Sequence, residues 1–287
     1  PLANLAPYID WTPFFHTWEL TGRYPAIFND EIIGESAKNL FHDANIMLEK
    51  MVKENWLHAN GVIGFFPANS VGDDIEIYTD ETRQKVLMTI HTLRQQTKKP
   101  SGRPNVALAD FIAPKSSGIP DYIGGFAVTS GGELDAKVAE FDKQHDEYNS
   151  ILIKALADRL AEGFAEHMHE RVRKEFWGYA PDEHYNNDEL IAEKYRGIRP
   201  APGYPACPDH TEKPLLFALL NPEENAKMTL TENFAMLPAS SVSGFYFSHP
   251  DSEYFGVGKI AEDQVADYAI RKNMDLEVIK RWLAPIL

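Results

Sequence analysis

The chain has 287 residues, 28 of them Lys or Arg and 43 Asp or Glu, for a formal charge of −15 with 44% hydrophobic residues. That acidic balance argues against a general nucleic-acid binder, whose contacts to a phosphate backbone need clustered cations. The one cysteine, Cys207, excludes an intrachain disulfide and any zinc site built from two or more thiolates of this chain.

The chain opens on Pro1-Leu2-Ala3-Asn4 without Met and closes on Trp282-Leu283-Ala284-Pro285-Ile286-Leu287, which gives the expectation of a piece of a longer polypeptide. Residues 35–57 place Leu40, Phe41, Ala44, Met47, Leu48, Met51 and Val52 at three-and-four spacing and predict an amphipathic helix. Residues 62–66 and 75–78 are rich in β-branched and aromatic side chains and predict paired strands, with turn chemistry between them at 69–74. Asp80, Glu81 and Thr82 offer an N-cap ahead of Val86, Leu87, Ile90 and Leu93, read as a second helix that must end by Pro100. Residues 106–112 and 126–128 read as buried strands. From 133 to 177 a helical period persists, so two helices or one kinked helix are expected.

From 178 to 222 the texture turns to Pro, Gly, Tyr and acid, with a short helical patch near 189–195; a long irregular stretch in a compact domain is usually functional. Residues 235–237 and 245–247 read as strands, 262–272 and 276–283 as closing helices. Clean βαβ units are missing, so an α+β fold with a mainly antiparallel sheet is expected rather than a doubly wound one. No run approaches the length of a membrane span and the N-terminus lacks the flank of a secretory signal, so no membrane contact is expected and the cytoplasm is the default.

Three stretches carry candidate chemistry. In Arg199-Pro200-Ala201-Pro202-Gly203-Tyr204-Pro205-Ala206-Cys207-Pro208-Asp209-His210, four prolines preorganise an arm, Arg199 can fork onto a carboxylate, and Gly203 admits a close backbone approach beside the flat face of Tyr204. The alternative is an arm that only crosses the surface while Arg199 pairs with an internal acid. Residues 8–18 combine Tyr8, Asp10, Trp11, Phe14, Phe15 and Trp18, either the wall of an aromatic pocket with one anion or plain core. In Ser252-Glu253-Tyr254-Phe255-Gly256-Val257-Gly258-Lys259 the glycines lack phosphate-loop spacing, and Tyr254 with Phe255 either stacks on an adenine or ends a strand in a turn. His167 and His169, two apart on a helix, diverge and read as solvated surface, and Cys207 with His210 lacks a third metal ligand.

Four blocks in order, YIDWTPFF, RPAPGYPACPDH, EYFGVGKI and RWLAP, resemble the C-terminal S-adenosylmethionine-binding activation domain of cobalamin-dependent methionine synthase. The resemblance spans almost the whole chain and implies a single domain over 1–287, C-shaped, with helices around a bent antiparallel sheet. It implies reactivation of oxidised cobalamin: S-adenosylmethionine donates a methyl group, and a flavodoxin or a methionine synthase reductase-like flavoprotein donates an electron. It places Arg199 on the methionyl carboxylate, Asp10 on the amino group, Ala201, Gly203 and Tyr204 with Tyr254 and Phe255 around the ligand, and Glu162 and Glu193 near the sulfonium. The cobalamin-ligating D-x-H-x-x-G is not matched, since Asp182-Glu183-His184-Tyr185-Asn186-Asn187 ends on Asn, and the thiolates of a zinc site are missing. Cobalamin and zinc therefore belong to partner domains, and the chain alone should not turn over. The rival readings are a self-sufficient S-adenosylmethionine-dependent methyltransferase and an interaction module that binds no small ligand. An acidic flavoprotein would need a local basic patch, for which Arg171, Arg173 and Lys174, or Lys98, Lys99 and Arg103, are candidates.

Overall fold

The computed structural model describes residues 1–287. Two short helices, α1 (Leu2–Leu5) and α2 (Thr12–Thr17), precede the long α3 (Gly34–Glu54). The sheet strands are β1 (His58–Val71), β2 (Asp74–Tyr78), β3 (Val86–His91) and β4 (Asp121–Gly132). Next come α4 (Leu134–Lys143) and α5 (Glu147–Arg171), then α6 (Asn187–Ile191), α7 (Lys213–Leu220) and α8 (Pro222–Ala226). A two-stranded pair, β5 (Thr229–Leu230) and β6 (Met236–Leu237), leads into β7 (Ser241–Tyr246), α9 (Glu262–Lys272) and α10 (Leu276–Leu283).

The main sheet runs β3-β2-β1-β4-β7 and every neighbouring pair is antiparallel, so the α+β expectation with an antiparallel sheet holds. Strand β1 is long enough to pair with β4 along most of its length and with β2 near its end. The largest apolar core is helical: α1, α2, α3, α4 and α5 enclose Phe14, Phe15, Met51 and Leu156, all fully buried. A second core packs α7 and the segment 106–112 on the sheet, and a third joins α9 to α10. No helix is long and apolar enough to cross a membrane.

Helix α5 positions the site. Asp146 caps it, its side chain accepting from the Asn149 amide at 3.1 Å, which satisfies one of the free N–H groups of the first turn. Beyond Arg171 the backbone widens into a π-helical turn over Val172–Phe176, a distortion frequent at functional sites because it turns side chains out of the regular α register.

Three expectations are corrected. Residues 86–91 are strand β3, not a helix: Asp80 folds back on Thr82 through the amide at 2.8 Å, a local turn that resembles a helix cap in sequence, and β-branched residues then pair with β2. Residues 106–112 are not a strand; Asp110 accepts the Ala107 amide at 3.0 Å and closes a 3-10 turn over Leu108–Phe111. Within 178–222 lies α7, an almost wholly apolar helix opened by Pro214 at its first turn.

Candidate functional site

The arm that begins at Ile198 is bonded onto β7. The Ile198 and Phe247 amides each donate to the other's carbonyl at 3.0 Å, and the Phe245 amide donates to the Pro200 carbonyl at 2.9 Å. Pro200 has no N–H to offer, which is tolerated on an outermost strand. Gly197 admits this approach: its φ is +84°, and a Cβ there would lie 2.6 Å from the Phe247 carbonyl oxygen. Past Pro200 the chain closes a tight loop, the Gly203 amide donating to the Cys207 carbonyl at 2.7 Å and the Tyr204 amide to that of Ala201 at 3.1 Å. At φ +96°, with the His210 ring filling the space a Cβ would need, position 203 requires glycine. The far end of the arm is tied down by buried Asp209, which accepts from Thr211 and from the Tyr268 hydroxyl at 2.8 Å and faces the Lys272 ammonium at 3.1 Å.

Arg199 points from this outer strand toward α5. Its Nη2 donates to Glu166 Oε2 at 2.7 Å, and its Nη1 donates to the Tyr195 hydroxyl at 2.9 Å and to His169 Nδ1 at 3.1 Å. Its own backbone amide donates to the Tyr254 hydroxyl at 3.0 Å, which in turn meets the Tyr195 hydroxyl at 3.1 Å. Arg199 therefore does pair with an internal acid, yet it also lines a groove. Burial works to lower its pKa, but the negative field of Glu166 and the two phenols outweighs that and holds it well above the usual guanidinium value.

Two adjoining grooves share Glu162, Glu193 and Arg199 as a common wall. One, of about 360 Å³, runs from that wall to Asp10, Tyr8 and Arg159; the other, of about 500 Å³, runs past Ala201 to Tyr204, Tyr254 and Phe255. Of the residues expected from sequence, Asp10, Glu162, Glu193, Arg199, Ala201, Tyr204, Tyr254 and Phe255 line one or both. Gly203 does not; it shapes the loop that carries Tyr204, whose ring stands 61% exposed at the rim. Glu193 sits at φ +55°, just past the end of α6, and burial lifts its carboxyl above the usual range, with Arg199 opposing and Glu166 reinforcing the shift. The aromatic block divides: Phe14 and Phe15 are core, while Tyr8 and Asp10 reach the groove.

Sequence reasoning missed Glu166, His169, Arg159 and Tyr195. The signal was available, because Glu162, Glu166, His169 and Arg173 follow at intervals of four, three and four, one polar stripe along a helix that is otherwise apolar on its inner side. His169 is a correction: it is buried and its ring stacks on Tyr246 at 5.2 Å, so it is not solvated surface. Arg173, a candidate for a docking patch, is also buried and bonded to Glu183, while Arg171 and Lys174 are engaged with Glu175 and Glu170. That cluster is not a free basic surface.

The buried imidazole has a measurable signature. Burial pushes the His169 pKa well below its ordinary value, helped by Arg199 and Arg173. The fold thus keeps His169 neutral, whereas the unfolded chain takes up a proton below about pH 6.5. A depressed histidine contributes stability above that pH and loses it as pH falls. Urea unfolding followed from pH 6.5 to 5 should show a His169 contribution to the decline of up to about 1.4 kcal/mol per pH unit. In His169→Gln that slope should be shallower; an unchanged slope would mean the ring protonates freely in the fold.

The model of the family described as vitamin B12 dependent methionine synthase, activation domain, matches residues 1–273. The chain belongs to this family. A search of solved structures finds a crystal structure of the MetH reactivation domain bound to AdoHcy, 60% identical, with a TM-score of 0.95 over 100% of this chain and 88% of that one. The activation domain described here is thus a module of cobalamin-dependent methionine synthase, a methyltransferase, and its sheet and flanking helices are those of that fold.

Proposed function

We propose that the joined grooves bind S-adenosylmethionine and present its methyl group to a cobalamin held by a neighbouring domain of methionine synthase, for reductive methylation of the oxidised cofactor with an electron from a flavoprotein. The observation that carries this reading is the shared wall: a fixed guanidinium and two carboxylates separate a polar groove from one with aromatic sides, in a chain whose 60% identical relative is bound to AdoHcy. The residues fit the ligand. Arg199 has three N–H groups engaged by the protein and leaves Nε and one Nη2 hydrogen for a bidentate carboxylate. Asp10 keeps one oxygen free after accepting the Thr12 amide at 2.9 Å and would meet the ammonium. Ala201 and the Gly203 loop offer backbone to the adenosine, with Tyr204, Tyr254 and Phe255 as flat faces. Glu162 and Glu193 put negative potential at the junction, where a sulfonium belongs.

Bound there, the ligand supplies an electrophilic methyl carbon. The chain's part is to orient it, and neither groove is a sealed cavity, which leaves a side from which a partner as large as a corrin could approach. We take residues 1–287 to act as one binding module, with cobalamin and the zinc site for homocysteine carried by other domains. A self-sufficient methyltransferase would ordinarily set a Gly-rich loop after the first strand of a parallel sheet; here the sheet is antiparallel and no such loop occurs.

Calorimetric titration with S-adenosylmethionine tests the reading. Arg199→Ala should bind roughly ten- to a hundredfold more weakly, the effect of about 1.5–3 kcal/mol for a charge-assisted hydrogen bond. Arg199→Lys, which retains the charge that Glu166 requires, should still weaken binding because an ammonium cannot reproduce the planar fork. Equal affinities in all three proteins, or methylation of a small acceptor by the isolated chain without a cobalamin protein, would overturn it.

A further inference from the structure

We infer that Glu166 contacts the ligand directly: one carboxylate oxygen holds Arg199 and the other receives the ammonium of an α-amino-acid group, so that Glu166 and Arg199 together bracket a zwitterion. This deepens the reading above and rests on it. Glu166 is only 6% exposed, yet it lines the same groove as Asp10 and Arg199. Its Oε2 is bonded to Arg199 Nη2 at 2.7 Å, while its Oε1 is buried and meets no protein donor. A carboxylate oxygen withdrawn from water without a donor is costly, and native structures seldom leave one so. The neighbouring acid on α5 offers no parallel, since Glu170 is already taken by the Tyr8 hydroxyl and by Lys174 at 3.3 Å.

Oε1 is closed to water in the ligand-free fold, and a turn of the Glu166 carboxylate toward the groove it lines would bring it to a cation or other donor that arrives with the ligand. The adjacent Arg199 edge selects a carboxylate, and a carboxylate with a donor cation one bond away from its α-carbon is the signature of an α-amino acid. An ammonium has three N–H groups, so Glu166 can share it with Asp10. The arrangement also explains why an acid, rather than an amide, stands at 166. Glutamine has one acceptor oxygen and one NH2 donor, and whichever way it turned, the donor would face either the guanidinium or the ammonium.

The test compares S-adenosylhomocysteine with its desamino analogue, by calorimetry, on the wild-type chain, Glu166→Gln and Asp10→Asn. The wild type should prefer the amino ligand by roughly ten- to a hundredfold, as expected for a charge-assisted contact. In Glu166→Gln that preference should shrink by about threefold or more, the coupling that a thermodynamic cycle reads for groups in contact. If the variant weakens both ligands equally and the preference is retained, Glu166 only holds Arg199 and the inference fails. Should Glu166→Gln not fold, Asp10→Asn decides: a residual preference for the amino ligand supports a second acid, and its complete disappearance means Asp10 serves alone. Wild-type protein that binds neither ligand would instead overturn the proposed function itself, and this inference with it.

Discussion

Arg173→Ala should lower the stability of the fold by about 3–5 kcal/mol, the cost typical of removing one partner from a buried ion pair. Arg173 is 0% exposed; its Nε donates to both Glu183 oxygens, at 2.8 and 3.0 Å, its Nη2 lies 2.7 Å from Oε1 as an ion-pair contact, and the Glu183 side chain is also buried. Its guanidinium lies 4.2 Å from the centre of the Tyr195 ring, the same ring whose hydroxyl supports Arg199. Truncation strands a carboxylate in the interior and removes the floor beneath Tyr195. Urea denaturation would report it as a shift in midpoint. The double variant Arg173→Met with Glu183→Leu should recover much of the loss, because no charge is then left uncompensated. A single-variant loss below about 1 kcal/mol, the range of an exposed pair, would show that water reaches Glu183.

Gly197→Ala should detach the arm from β7. An L-residue forced to positive φ costs about 1–2 kcal/mol, and overpacking adds about 1–3 kcal/mol. The obstructing atoms include the Phe247 carbonyl, which is backbone and bonded to the Ile198 amide; it cannot swing aside as a side chain would. The strain should therefore be relieved by loss of the Ile198–Phe247 pairing, and Arg199 would lose its place beside α5. Amide hydrogen exchange at Ile198 and Phe247 should accelerate while Val128, inside the β4–β7 ladder, stays protected. Binding of S-adenosylmethionine should weaken in step. Unchanged exchange at Ile198 would mean the turn adjusts elsewhere.

Much of this architecture was readable from side-chain period. Residues 35–57 differ from α3 by a few terminal positions, and 262–272 and 276–283 coincide with α9 and α10, because each buries one regular stripe; α3 and α9 stop at a left-handed Asn, Asn55 and Asn273, and α10 starts at the Asp275 cap. Period failed where a coincidence imitated it. Val86, Ile90 and Leu93 are spaced as on a helix, but Ile90 is buried as part of β3 and Leu93 lies beyond the strand against the C-terminal helices. Helix α7 escaped because a run such as Leu215-Leu216-Phe217 has no polar face to set its phase. In the site, the legible residues were those on the irregular arm and the N-terminal block, where composition departs from an ordinary core. Glu166 and His169 were hidden by the regularity of α5, since whether a charged helical position faces water or a guanidinium depends on what the distant arm brings to it.

The way the arm closes the sheet also bears on how the protein behaves while it is being made. Without Ile198–Pro200, β7 would present a row of unpaired backbone groups, a template on which a strand from another molecule could add. The arm covers that row, and Pro200 offers no donor of its own to continue the ladder outward. Yet the arm lies some forty-odd residues before β7 in the chain, so the cover is in place only once β7 has been delivered to it. Variants that loosen the Ile198–Phe247 junction should therefore be lost mainly to aggregation during expression, and their yield in soluble form should recover at low temperature and low protein concentration, where association between chains is slower than docking of the arm.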